Sequence, residues 1–230
     1  MKTIGLIGGV SWESSSEYYR IINESTHSRL GGLHSAKSVM VSVDFAEVEL
    51  LQREARWDEA TQMMVDAARQ VERGGADLLL ICSNTMHKMA DEVQAAVHIP
   101  LLHIVDATAE TIKKQNIRKV GLLGTRFTME EDFYKMRLIQ KHGLDVLLPD
   151  KKSRDLVDRV IFTELVVGII SSESKASYLN IIDDLIKQGA EGVILGCTEI
   201  GMLVKSQDRQ VPLFDTTWIH AQAAVEDALP

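Results

Sequence analysis

The chain has few of the features that mark secreted, membrane-spanning or metal-binding proteins. Its 230 residues include only two cysteines, Cys82 and Cys197, and these form no CxxC pair or His/Cys cluster. We therefore expect neither a structural disulfide nor a zinc site. The longest apolar stretches, Ala76–Cys82 and Leu165–Ile170, are too short to span a bilayer. The apolar run Thr3–Val10 is also too short for a signal-peptide core, so we expect a cytoplasmic protein.

Positive charge is also scarce. The formal net charge is −8, and no cluster of basic residues is longer than the pairs Lys113–Lys114 and Lys151–Lys152. Nucleic-acid binding requires a basic surface that neutralises phosphates, so we do not expect a nucleic-acid partner. The net negative charge does not exclude an acidic substrate, because backbone N–H groups at helix N-termini make a pocket locally positive.

Short apolar runs alternate with amphipathic stretches along the whole chain, as in Trp57–Arg73, where apolar residues recur at helical spacing. The predicted strands are Thr3–Ile7, Ser38–Val43, Asp77–Ile81, Leu101–Ile104, Val120–Leu123, Asp145–Leu148, Gly192–Leu195 and Leu213–Phe214. The predicted helices are Ser14–Arg29, Trp57–Arg73, Lys88–Val97, Ala107–Gln115, Glu130–His142, Arg154–Val166, Lys175–Gln188 and Ile219–Leu229. This alternation predicts an α/β fold with mostly parallel sheets.

The two halves of the sequence resemble each other. Three motifs recur in the same order, 112 to 116 residues apart: GLIGG with GLLGT, ICSNT with LGCTE, and the segments around Pro100 and Pro212. The repeat predicts two pseudo-symmetric lobes, 1–98 plus 212–230 and 99–211. Ligands of open α/β sheets bind beyond the carboxyl ends of the strands, where these motifs lie, so we expect the site in the cleft between the lobes.

Cys197 is the strongest candidate for a reactive side chain. It follows the predicted strand Gly192–Leu195, and a helical segment, Ile200–Val204, comes directly after the run Gly-Cys-Thr-Glu at 196–199. The dipole of a helix acidifies a thiol at its N-terminus, so we expect a lowered pKa and a thiolate. Burial as a small apolar residue is the alternative, but the glycine and the Thr198 hydroxyl at this junction favour a functional thiol.

The repeat matches Cys197 to Ser83 in the first half. Neighbouring residues of a strand point to opposite faces, so Ser83 faces the ligand if Cys82 packs against a helix. Asn84 and Thr85 follow at a helix start, where their amide and hydroxyl groups suit a carboxylate ligand. Simple helix capping is the alternative for both residues.

The turn after the first strand of each half supplies the remaining candidate substrate-binding residues. The turn Gly8-Gly9 lacks both the G-x-G-x-x-G order and a P-loop lysine, so a nucleotide site is not indicated. Gly9 allows the backbone to approach a small ligand, and we assign Val10 to the substrate-binding group. The matching turn carries Thr125, whose hydroxyl we assign to the same group. His87 is expected to be a hydrogen-bonded helix histidine rather than a ligand of the substrate.

At these residues the chain resembles the aspartate/glutamate racemase family. The similar segments are MKTIGLIGG at the N-terminus, SNTMH at 83–87, GCTEI at 196–200 and VPLFDT at 211–216. The resemblance covers essentially the whole chain and implies two Rossmann-like lobes, an active site between them and, often, a homodimer. It also implies a small amino-acid substrate and no cofactor, neither pyridoxal phosphate nor a metal. Two cysteines, one from each lobe, usually flank the substrate α-carbon in this family.

The chemistry of such a pair is proton transfer. One thiolate removes the α-proton and the opposite thiol returns a proton to the other face. Donors for the carbanion and the carboxylates are assigned to Asn84, Thr85 and Thr198. This chain departs from the pattern because it has Ser83 in place of the first cysteine. A serine hydroxyl is too weakly acidic to be a resting base and can only donate or relay a proton. We therefore predict a lopsided pair in which Cys197 is the base and the L-enantiomer is favoured, unless a change of register brings Cys82 to the substrate.

A second departure concerns the distal carboxylate of the substrate. Many relatives hold it with a basic residue of the second lobe, whereas this chain has Val166 and Val167 in the segment Ile161–Gly168. Gln52 and Arg53 are the candidates that remain, and we assign Gln52 to substrate binding and interpret Arg53 as a solvated charge. A missing cation would extend the substrate range to neutral amino acids.

The leading interpretation is a racemase of aspartate or glutamate. A related isomerase of the hydantoin or maleate type, or a decarboxylase, is an alternative, because those enzymes use related cysteine positions. A non-catalytic amino-acid-binding protein is the third interpretation, and Ser83 is the residue that favours it.

Overall fold

The structure, a computed structural model that describes residues 1–229, contains two compact units, each with its own parallel sheet. Unit 1 runs from Met1 to Ile104 and resumes at His220, and unit 2 is Val105–Ile219. These boundaries lie later in the chain than the expected ones at 98/99 and 211/212. The shift arises because the backbone beside Pro100 pairs with the first sheet, and the last predicted strand joins the second sheet.

Unit 1 is built on a three-stranded sheet in the order β2-β1-β3, and every pairing is parallel. Its elements are β1 (Ile4–Gly8), α1 (Trp12–Leu30), β2 (Ser38–Ser42), α2 (Phe45–Arg53), α3 (Trp57–Arg73), β3 (Leu78–Ile81) and α4 (Ala90–Ala95), with a 3-10 turn over Thr85–Met89. Helix α2 was not predicted; it begins where the Asp44 carboxylate accepts a hydrogen bond from the Ala46 N–H at 3.0 Å.

Unit 2 contains a four-stranded parallel sheet in the order β5-β4-β6-β7. The elements are α5 (Ile104–Lys114), β4 (Lys119–Gly124), α6 (Arg126–Glu130), α7 (Asp132–Met136), β5 (Asp145–Leu147), α8 (Lys151–Thr163), α9 (Ser172–Lys187), β6 (Gly192–Gly196), α10 (Ile200–Leu203) and β7 (Leu213–Asp215). The last helix, α11 (Thr216–Ala228), begins in unit 2 and belongs to unit 1 from His220 onward. The expected single helix over 130–142 is instead α6, α7 and a π-helical turn, because Glu131 is extended between the two helices. The α/β fold with parallel sheets is confirmed.

The sequence repeat corresponds to a repeated pattern of backbone hydrogen bonds. The Leu79 N–H donates to the Pro100 carbonyl at 2.9 Å, and the Val193 N–H donates to the Pro212 carbonyl at the same distance. In unit 2 this contact extends into β7. In unit 1 it stays a single bridge between Leu79 and Leu101, because α5 begins at Ile104 and ends the predicted strand Leu101–Ile104.

The core of unit 1 lies on both faces of its sheet. One face packs on α3 through an apolar cluster that includes Ile7, Leu79 and Val71. The other face packs on α1 and on the last helix, and Cys82 belongs to this second cluster. The expectation that Cys82 is buried against a helix is confirmed. Among residues 1–229, no helix combines the length and the apolar character needed to cross a membrane.

Candidate active site

Most of the candidate site residues follow the strands of each sheet at its carboxyl edge. Half-site 1, in unit 1, consists of Val10, Gln52, Ser83, Asn84 and Thr85. Half-site 2, in unit 2, consists of Thr125, Cys197, Thr198 and Glu199. All nine residues are buried, and even Cys197 keeps only 8% of its surface exposed. The predicted site residues thus gather in two groups, one per sheet, as the repeat implies.

Ser83 occupies the turn that leaves β3. Its Oγ accepts a long hydrogen bond of 3.4 Å from the Met86 N–H, and its carbonyl lies 2.7 Å from Nδ1 of His87. The preceding carbonyl, that of Cys82, accepts a hydrogen bond from the Ser14 hydroxyl at 3.2 Å. The backbone on both sides of the Ser83 side chain is therefore fixed, while the hydroxyl itself is held only weakly.

The turn after β1 shapes the neighbouring part of half-site 1. Gly9 has a φ of +92°, and a side chain there would collide with the backbone of Val43. The Gly9 N–H donates to Ser15 Oγ at 2.7 Å, which tightens the turn. The side chain of Val10 belongs to the apolar cluster over α3, so this residue offers backbone groups rather than a polar side chain to a ligand.

Gln52 reaches half-site 1 from the last turn of α2. Its Nε2 lies 3.1 Å from Sδ of Met86, the residue whose N–H bonds Ser83. Arg53 is 64% exposed in its side chain and pairs with Glu49, so its interpretation as a solvated charge is confirmed. Gln52 is thus the buried polar side chain that α2 contributes.

Cys197 follows β6 and forms a hydrogen-bonded group with the two residues after it. Its Sγ–H donates to Oε2 of Glu199 at 3.0 Å, and the Thr198 hydroxyl donates to the same oxygen at 2.6 Å. Glu199 is 3% exposed. The hydrogen bonds to Glu199 were not predicted, although this residue ends the run Gly-Cys-Thr-Glu that drew attention to Cys197.

The expected acidification of Cys197 is wrong for the protein without substrate. Burial raises the pKa of the Cys197 thiol well above its usual value, and the Glu199 carboxylate and Asp158 raise it further. The helix that was expected to lower the pKa, α10, has only four residues and begins at Ile200. The resting thiol is therefore protonated and serves as a hydrogen-bond donor to Glu199.

Glycines allow the turns that follow β4 and β6 in half-site 2 to lie close together. A Cβ on Gly124 would lie 2.7 Å from the Gly196 carbonyl, and one on Gly196 would lie 2.8 Å from the Leu123 carbonyl. The ends of β4 and β6 can therefore approach only without side chains. Thr125 begins α6, where its Oγ1 accepts a hydrogen bond from the Thr128 N–H at 3.2 Å.

The environment of Cys197 also includes side chains from α8 and α9 that the sequence did not reveal. Tyr178 donates from its hydroxyl to the Val157 carbonyl at 2.9 Å, and burial raises its pKa, with Cys197 and Asp158 as the next causes. Asp158 accepts a hydrogen bond from the Arg126 N–H at 2.7 Å, and its own pKa is raised by burial. The segment Ile161–Gly168, in which no cation was expected, contains Glu164, whose carboxylate accepts a hydrogen bond from the Ser174 hydroxyl.

Replacement of Glu199 by glutamine is expected to lower the pKa of Cys197. The carboxylate raises this pKa by its charge, so the neutral amide increases the thiolate fraction at any pH below the wild-type pKa. We expect iodoacetamide to alkylate Cys197 about tenfold faster at pH 8, as for a pKa lower by one unit. The measurement uses a Cys82→Ala background, which leaves one thiol. Glu173→Gln, an exposed carboxylate on α9, is the control, and equal rates in the two variants would contradict the assignment.

Comparison with known proteins gives consistent matches over almost the whole chain. The family model described as Asp/Glu/Hydantoin racemase matches residues 7–224. A solved structure of a candidate Asp/Glu racemase from Yersinia pestis is 53% identical, with all of both chains covered and a TM-score of 0.93. An aspartate racemase homologue from Pyrococcus horikoshii is 36% identical over 99% of both chains, with a TM-score of 0.86. The broad specificity amino-acid racemase RacX of Bacillus subtilis is 24% identical over 75% of this chain and 74% of its own.

Proposed function

Because the chain belongs to the Asp/Glu/Hydantoin racemase family, we propose that it racemises acidic amino acids, aspartate or glutamate, with Cys197 as the base and Ser83 as the proton donor. The observation that carries the proposal is the hydrogen bond from the Cys197 thiol to the buried carboxylate of Glu199. A thiol that already points its proton at a carboxylate can lose that proton without a cofactor or a metal. The cytoplasmic location and the homodimer stay predictions.

Proton transfer begins at Cys197 and Glu199. The thiol proton moves to Oε2 of Glu199, and the resulting thiolate removes the α-proton of the L-amino acid. The sulfur then carries the substrate's proton and Glu199 carries the former thiol proton, so the charge of the pair has moved to the substrate carbanion. Hydroxyl and amide donors at Thr198, Thr125, Asn84 and Thr85 stabilise this carbanion through the substrate carboxylate.

Ser83 completes the inversion from the opposite face. Its O–H bond breaks as the new C–H bond of the D-amino acid forms, and the serine oxygen takes a proton from water. Glu199 releases the former thiol proton to the resulting hydroxide, which restores the resting carboxylate and water. A serine oxygen cannot persist as an anion near neutral pH, so this half of the reaction is slower than the thiol half. Gln52 is the residue we assign to the distal group of the substrate.

A non-catalytic amino-acid-binding protein is the second candidate function. Ser83 favours it, since this residue replaces one of the two thiols usual in the family. The paired hydrogen bonds from Cys197 and Thr198 to Glu199 favour the enzyme, because binding alone requires no thiol whose proton has a ready acceptor.

Isotope exchange in deuterated water tests the proposal. The equilibrium constant of racemisation is one, so kcat/KM is equal in the two directions and asymmetry must be sought in exchange. We expect L-glutamate or L-aspartate to exchange its α-proton about 10²-fold faster than it inverts, because Cys197 returns a solvent deuteron more readily than Ser83 donates one. The D-enantiomer should exchange no faster than it inverts.

The measurement combines ¹H NMR of the α-proton with chiral chromatography of the same samples. Absence of exchange from both enantiomers of both amino acids would exclude this racemase activity and favour the binding protein. Equal exchange rates for L and D would instead contradict the lopsided pair.

A further inference from the structure

His87 lies behind Ser83 and connects two parts of the backbone of unit 1. Its Nδ1 is 2.7 Å from the Ser83 carbonyl oxygen, and its Nε2 is 3.1 Å from the backbone nitrogen of Ile104. The side chain is 3% exposed. Ile104 is the first residue of α5 and the last residue of unit 1, so this imidazole joins the turn of Ser83 to the point where the chain leaves the unit.

The two contacts determine the protonation state of His87. A carbonyl oxygen only accepts a hydrogen bond, so Nδ1 must carry the proton. A backbone N–H only donates, so Nε2 must offer its lone pair. The imidazole is therefore neutral, with a defined tautomer, and each nitrogen performs a different task.

The segment that ends at Ile104 is also held from a second side. Nε2 of His220 donates to the Leu102 carbonyl at 2.8 Å, and the Tyr18 hydroxyl donates to Nδ1 of His220 at 2.8 Å. Burial lowers the pKa of His220 to about 3, so this ring is neutral as well. The His220 ring contacts the His87 ring edge-on, with centroids 5.7 Å apart. The backbone to which His87 is bonded is thus itself fixed.

We infer that His87 is a positioning residue for Ser83, and the inference rests on the proposed function. The Nδ1–H holds the peptide oxygen of Ser83, which fixes the direction of the adjacent Cα–Cβ bond and hence the point from which the hydroxyl extends. Within residues 1–229, the hydrogen bond of that hydroxyl is the long one from the Met86 N–H, so its direction depends on the backbone. A displacement of about 1 Å costs about 10²-fold in a proton transfer.

Two variants separate the tasks of the two nitrogens. In His87→Asn the side-chain amide N–H takes the place of Nδ1–H and keeps the bond to Ser83, while the acceptor for Ile104 is lost. In His87→Gln the longer side chain brings an acceptor to the place of Nε2, while the bond to Ser83 is lost. If His87 positions Ser83, the asparagine variant should invert L-glutamate within about threefold of wild type, and the glutamine variant should invert it about 10²-fold more slowly.

The ratio of inversion to exchange distinguishes positioning from general structure. Exchange of L-glutamate depends on Cys197, so it reports that the enzyme is folded and that the thiol is active. We expect the glutamine variant to keep its exchange rate while inversion falls, with KM unchanged. Equal losses of exchange and inversion in both variants, or better inversion by the glutamine variant than by the asparagine variant, would overturn the inference. A wild-type enzyme without exchange would refute the proposed function instead, before either variant is compared.

Discussion

Replacement of Cys197 by alanine is expected to abolish exchange and inversion for both enantiomers, with a loss of about 10³-fold or more. The alanine variant has no group that can take the α-proton, and general-base catalysis by one well-placed side chain contributes about 10²- to 10⁴-fold. Ser83 cannot compensate, since its hydroxyl is a poor base near neutral pH. The measurement is α-proton loss from L- and D-glutamate in deuterated water.

The second cysteine provides the matched control. Cys82 is fully buried in the apolar cluster between the sheet of unit 1 and its helices, and burial raises the pKa of its thiol. Cys82→Ala should therefore keep exchange within about threefold of wild type, although it leaves a small cavity that lowers the stability of the core. Loss of exchange in Cys82→Ala together with its survival in Cys197→Ala would reverse the roles of the two cysteines.

Much of this arrangement was predictable because the chain repeats itself. The offset of the motifs matched Ser83, rather than Cys82, to Cys197, and the alternation of side chains in a strand explains why Cys82 lies in the core. Parallel sheets follow from the alternation of strands and helices, and their carboxyl edges bring the motif residues together within each unit.

The features that were not predictable depend on packing between segments far apart in the sequence. The pKa of Cys197 was expected to fall because a helix was expected to follow it, yet burial and Asp158, from α8, are among the causes that raise it. The boundary between the units lies later than expected because backbone hydrogen bonds of Leu79 to Pro100 and Leu102 hold the segment before α5 against the first sheet. The link from His87 to Ile104 spans 17 residues and has no sequence signature.

The replacement of Ser83 by cysteine is expected to increase the rate of inversion by about 10²-fold and to remove the asymmetry of exchange. A thiol is far more acidic than a serine hydroxyl, so it donates a proton more readily and can also act as a base toward the D-enantiomer. Because kcat/KM must stay equal in the two directions, the gain should appear for both enantiomers. Exchange of the L-enantiomer, which the proposed mechanism assigns to Cys197, should change little.

Ser83→Ala is the complementary variant, because it removes the hydroxyl and leaves Cys197 and Glu199 intact. It should still exchange the α-proton of L-glutamate at close to the wild-type rate while inversion falls below that of wild type. The rate of inversion is thus expected to be highest with cysteine at position 83, lower with serine and lowest with alanine. The rate of α-proton exchange from the L-enantiomer should be nearly the same in all three proteins. A rate of inversion that is the same for serine and alanine, or a cysteine variant that inverts no faster than wild type, would mean that the second proton comes from a group other than residue 83.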